Sequence, residues 1–120
     1  MYTSYFANLR RLPKDIIPIS ICAKPPNWYR GARYGRLAPP YDVLMNYKRD
    51  GDSKKYVREY RKRVLNALNP DSVIDELFRI SGGKSFAMLC YEKPDDFCHR
   101  RVVAEWLREN GFDVEEWKEN

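Results

Sequence analysis

Apolar positions follow two rhythms along this chain. In "NPDSVIDELFRISGG", Val73, Ile74, Leu77, Phe78 and Ile80 recur at three- and four-residue intervals, the spacing of one helix face. Val102, Val103, Trp106 and Leu107 do the same in "HRRVVAEWLRENG". A third such stretch runs from Ser53 to about Leu68, with Tyr56 or Val57, Tyr60, Val64 and Leu68 as its apolar stripe. "YDVLMNYKRD" before it places Val43, Leu44 and Tyr47 on one side and stops at Gly51. The other rhythm is the unbroken apolar run. "IIPISIC", Ile16 to Cys22, and "SFAMLCYE", from Ser85, are apolar on both faces, as strands of a covered parallel sheet are. "YTSYF" at the start and "FDVEEW" at the end read as shorter strands.

Punctuation sharpens these boundaries. Asn69 is placed to cap a helix that opens on Pro70 and Asp71, and Gly82 and Gly83 close it. Asp52 or Ser53 can cap the helix before it. "ANLRRLPKD" is a short helix stopped at Pro13, and Pro18 predicts an irregular or edge position in its strand. Ala23 to Pro40 has no rhythm and reads as a long loop in which Trp28, Tyr29 and Tyr34 interleave with Arg30, Arg33 and Arg36. Strands separated by helices predict an α/β fold: a single domain over residues 1–120, with a mostly parallel sheet and helices on both faces.

Composition narrows the function classes. The chain has 120 residues, is 43% hydrophobic and carries a net charge of +5, which favours an anionic partner such as a nucleotide or nucleic acid. No apolar run is long enough to cross a bilayer, so no membrane partner is expected. "MYTSYFANLRRLPKD" lacks a basic start followed by a long apolar centre, which predicts a cytoplasmic protein. Its three cysteines, Cys22, Cys90 and Cys98, would then stay reduced. No feature specifies an oligomeric state.

Reactive side chains concentrate in "CYEKPDDFCHR", Cys90 to Arg100, which holds two of the cysteines and the one histidine. Cys90 lies near the C-terminal end of the strongest strand, and ligands bind beyond that end of the strands in open α/β sheets. Cys98 starts the next helix, where Asp95 or Asp96 can cap, and the helix's positive end favours a thiolate or holds an anion. "MLCYEKPDDFCHR" resembles the hallmark of the domain of unknown function 488 family: a strand ending in Cys-x-Glu, a short loop, then Cys-His-Arg opening a helix. "LAPPYDVLMNYKRDGDSKKYVREYRKRVL" is similar to a Leu-Ala-Pro segment and Tyr/Arg helix in one branch of that family. Where many members carry Asp-Val-Arg and a proline after the first core strand, this chain reads "ISICAKPP". The resemblance implies an α/β fold and no settled activity.

The reading from these residues is a small enzyme acting on a phosphate-bearing substrate. Cys98 is the expected nucleophile or anion-site thiol, His99 the acid or base, and Glu92 the carboxylate that orients it. Arg100 is the expected anion anchor, with Arg30, Arg33 and Trp28 as further substrate contacts and Cys90 and Cys22 in support. No cofactor and no metal are expected, because adjacent Cys98 and His99 suit one tetrahedral ion poorly. The Cys-x5-Arg loop of cysteine phosphatases is absent. Two other readings stand beside this one: a non-catalytic nucleotide or nucleic-acid binding module, and a structural accessory protein whose loop is a knot of hydrogen bonds.

Overall fold

The computed structural model describes residues 1–92 and 96–119. Five strands form one sheet: β1 (Tyr2–Tyr5), β2 (Ile17–Ser20), β3 (Ala32–Arg33), β4 (Phe86–Cys90) and β5 (Glu115–Glu116). Their order is β3-β2-β4-β1-β5 and every pairing is parallel, so all strand C-termini share one end of the sheet. Four α-helices accompany them: α1 (Tyr41–Asp50), α2 (Ser53–Arg63), α3 (Pro70–Ile80) and α4 (His99–Glu109). The protein is α/β, as the alternation of rhythms predicts.

The two faces are covered unequally. Phe86 and Met88 point to one face, where they pack with Ile19, Ile21, Val43, Tyr60, Leu77 and Leu107. These residues draw in all four α-helices. Ala87 and Leu89 point the other way, against Phe6, Ile16 and Tyr29. That face carries a 3-10 helix, Phe6–Arg11, and the long loop after β2. All five residues of β4 are buried, which explains its unbroken apolar run.

Local details depart from the sequence pattern for identifiable reasons. The long loop contains β3 and a 3-10 turn, Gly35–Leu37, because Tyr29 organises it from inside. The buried Tyr29 hydroxyl donates to the carbonyls of Ala32 (2.7 Å) and Pro18 (3.2 Å), and a side chain at Gly31 would collide with its ring. β2 is an interior strand, but Pro18 holds the expected edge position within it, unpaired on the β3 side. The amides of Ile17 and Ile21 face β4, so Pro18, at alternate parity, lacks its N–H on the opposite side, before β3 begins pairing at Ile19. The α2 helix ends at Arg63, and the expected stretch to Leu68 breaks into a 3-10 turn over Leu65–Ala67. Asp52 caps α2 by accepting from the Lys55 amide, and Asn69 caps α3 by accepting from the Ser72 amide.

Candidate functional site

The site lies where β1, β2 and β4 end and α4 begins. Cys90 is the last residue of β4, and Cys98 is the N-cap of α4 in extended backbone. The chain turns back between them, and their Cα atoms stand 7.2 Å apart. Their sulfurs meet as a disulfide. In this paired form Cys22 alone is free among the described residues, whereas the reduced form expected from the sequence has all three thiols. No side chain caps α4 among the described residues. Asp96 therefore does not take that role, and Asp95 lies outside the described residues.

His99 is buried, and its geometry fixes its tautomer. Nε2 lies 2.9 Å from the Ile21 carbonyl, which can only accept, so Nε2 carries the proton. Nδ1 then presents a lone pair, and it sits 3.9 Å from Cys98 Sγ. In the disulfide that sulfur has no proton to give; in the reduced pair the same contact places a thiol beside an acceptor. Burial pushes the His99 pKa down to about 4, and the nearby Arg100 charge adds to this against the Ile21 hydrogen bond. The ring is neutral at physiological pH. Tyr60, whose buried hydroxyl donates to the Leu37 carbonyl, meets the imidazole edge to face at 5.8 Å. Phe97 packs on Tyr47 and Tyr56 beside it.

Arg100 is the largest fully buried side chain described. Its Nε and Nη2 donate to the two Glu116 carboxylate oxygens, each at 3.0 Å. Nη1 donates to the Glu92 carbonyl (2.6 Å) and to Cys90 Sγ (3.2 Å), and the guanidinium lies 5.7 Å over the Tyr5 ring. The role of free anion anchor expected for Arg100 therefore fails: its fork is occupied by the protein. It ties the end of β4 to β5 and holds Cys90 in place. Its carboxylate partner among the described residues is Glu116, which Thr3 Oγ1 also holds (2.7 Å).

Glu92 does not orient His99; the Ile21 carbonyl does. The half-buried Glu92 carboxylate instead raises the pKa of three neighbours, Cys22, Tyr56 and Tyr91, in each case behind burial. Burial above all, with Glu92 behind it, pushes the Cys22 thiol up to about 12. Cys22 is thus protonated at neutral pH and contacts the Leu89 carbonyl at 3.8 Å. It supports the site without supplying a nucleophile.

The loop residues expected to touch substrate are further out. Arg30 is exposed and donates to the Asn27 carbonyl at 2.6 Å, and Arg33 is exposed on β3. No hydrogen bond among the described residues joins either to Cys98, His99 or Glu92. Trp28 is exposed and meets Phe6 in an edge-to-face contact. Glu116, Ile21 and the tyrosines around His99 are the members that sequence reasoning missed. A groove of about 370 Å³ lies beyond the Arg100–Glu116 pair, lined by Thr3, Arg101, Arg108, Glu116 and Lys118 among others.

The ligand atoms of Cys90, Cys98 and His99 all lie within 4.8 Å of one another, so the reduced sulfurs and Nδ1 are the described atoms able to hold a soft metal ion. No helix among the described residues is long and apolar enough to cross a membrane.

No curated protein and no solved structure matches the chain. A family model does: DUF488-N3a, described as the active DUF488-N3 subclade, over residues 5–111. The match takes in Cys22, Cys90, Glu92, Cys98, His99 and Arg100 and stops short of Glu116. On that coverage the chain belongs to the domain of unknown function 488 family.

Proposed function

We propose that the protein is a small enzyme acting on a phosphate-bearing substrate, a nucleotide or nucleic acid, with reduced Cys98 as its nucleophile. One observation carries this reading: Cys98 Sγ lies at the N-terminus of α4, 3.9 Å from Nδ1 of a neutral, tautomer-fixed imidazole. Nδ1 takes the thiol proton as sulfur attacks, and Nε2 stays on the Ile21 carbonyl throughout. As the S–P bond forms and the P–O bond breaks, the leaving oxygen takes that proton from Nδ1; a pKa of about 4 favours this second transfer and requires the first to be concerted with attack. The first α4 amides, uncapped by any described side chain, supply donors for a phosphate oxygen. Arg100 is a positioning residue here, holding Cys90 and the Glu92 backbone behind the thiol. A thiol that must be reduced to act fits a cytoplasmic protein.

The test is turnover. Reduced protein is incubated with a panel of nucleotides and short oligonucleotides, and products are followed by phosphorus NMR and mass spectrometry. Wild type should convert at least one class, and Cys98→Ser and His99→Gln should abolish it. Conversion by Cys98→Ser at the wild-type rate would overturn the assignment. Salt-sensitive binding that is unchanged in both variants, with no turnover, would favour the binding-module reading instead.

A further inference from the structure

We propose that Trp28 and Tyr91 form a stacking platform for a nucleobase, so that the ligand of this site carries a base as well as a phosphate. The inference rests on the nucleotide or nucleic-acid reading above and deepens it, because it assigns the residues that would hold the base.

Trp28 is 57% exposed and Tyr91 49% exposed, and both lean on the same residue, buried Phe6. Phe6 follows β1, Trp28 lies in the loop after β2 and Tyr91 follows β4. Three strand ends therefore converge on the end of the sheet that holds Cys90 and Cys98. The contacts are edge-to-face: the planes of Trp28 and Phe6 meet at 87°, those of Tyr91 and Phe6 at 64°. Neither exposed ring lies flat against Phe6, so neither contact is a parallel stack, and each ring keeps about half of its surface open to a planar ligand.

The rings are also held. The Tyr91 hydroxyl donates to the Lys24 carbonyl at 2.5 Å. The Trp28 loop is fixed by Tyr29 from within and by Arg30 on the Asn27 carbonyl. Pre-positioned aromatic faces lose little freedom when a planar ring lands on them. Lys24 and Arg30 put positive charge beside the platform, complementary to the phosphate attached to a base. Tyr91 directly follows Cys90, the last residue of β4, so the platform lies at the same end of the sheet as the α4 N-terminus.

Equilibrium binding to the reduced protein, by calorimetry, tests this with three probes: AMP, ribose 5-phosphate and a short single-stranded oligonucleotide. AMP should bind more tightly than ribose 5-phosphate. Trp28→Ala and Tyr91→Ala should each weaken AMP about five- to hundredfold and leave ribose 5-phosphate unchanged. Trp28→Phe and Tyr91→Phe keep a ring and should retain most of the affinity, which separates lost stacking from a damaged fold. Tighter binding of the oligonucleotide, with the same sensitivity to Trp28→Ala, identifies nucleic acid as the source of the base. Equal affinity for AMP and ribose 5-phosphate, or AMP binding untouched by both alanine variants, would overturn the platform. That outcome is distinct from failure of the enzyme reading: loss of turnover in Cys98→Ser stands whether or not the platform does, and stacking stands in a protein that turns nothing over.

Discussion

Acid should destabilise this protein through His99. The ring is buried and neutral in the folded state, with its pKa depressed from 6.5 to about 4 by burial first and by Arg100 after it. The unfolded chain binds a proton near pH 6.5 that the folded chain refuses until about pH 4. A depressed histidine therefore gives full stability above the unfolded pKa, and that stability is lost as pH falls through the window from 6.5 to about 4. At about 1.4 kcal/mol per pH unit the loss is about 3 kcal/mol. In urea this moves the unfolding midpoint by about 1–3 M for a domain of this size. The assay is urea unfolding at pH 7, 6, 5 and 4, wild type against His99→Gln. Glutamine keeps a donor for the Ile21 carbonyl and has no proton to gain. Carboxylates contribute equally to both proteins, so the difference isolates His99. Wild type should lose about 3 kcal/mol more than the variant between pH 7 and pH 4. Parallel curves would refute the neutral, buried imidazole and the proton-acceptor role built on it.

Four further outcomes follow from the same geometry. Arg100→Ala leaves the Glu116 carboxylate without its buried counter-charge and should cost about 3–5 kcal/mol in denaturant unfolding; a loss below about 1 kcal/mol would contradict the pairing. The oxidised protein should show a single thiol, Cys22, on titration in denaturant, and three after reduction. Closing the short loop from Cys90 to Cys98 should make the oxidised form more stable by about 2–3 kcal/mol, read from the two unfolding midpoints. Asp52→Ala removes the acceptor for the Lys55 amide and should lower stability by about 1 kcal/mol in thermal unfolding without changing ligand affinity.

The sheet and its helices were legible in the sequence wherever one residue carried one signal. The unbroken apolar run of β4 and the Asn69–Pro70 opening of α3 are local facts, and the structure has them where the pattern places them. The clustering of Cys90, Cys98, His99 and Arg100 was legible too, because a strand end and a helix start bring them together within one turn of chain. What stayed hidden depends on partners distant in sequence. Arg100 reads as a free cation beside three acids, yet its carboxylate comes from β5, which only the placement of β5 beside β1 brings near. The Ile21 carbonyl that fixes His99 leaves no mark in any side chain. Ala32–Arg33 pairs as a strand because Tyr29 folds the loop back on β2, a tertiary cause with no two-residue rhythm to announce it.

On this geometry, ligand meets the protein at the C-terminal end of the sheet. Amide chemical-shift mapping of the reduced, 15N-labelled protein during an AMP titration reads that contact residue by residue. The largest changes should fall at Ile21, Cys22, Tyr91, Glu92 and Phe97 to Arg100. Changes confined to the basic outer side of α2, around Lys54, Arg58 and Lys62, or to the groove beside β5 at Arg108 and Lys118, would contradict it.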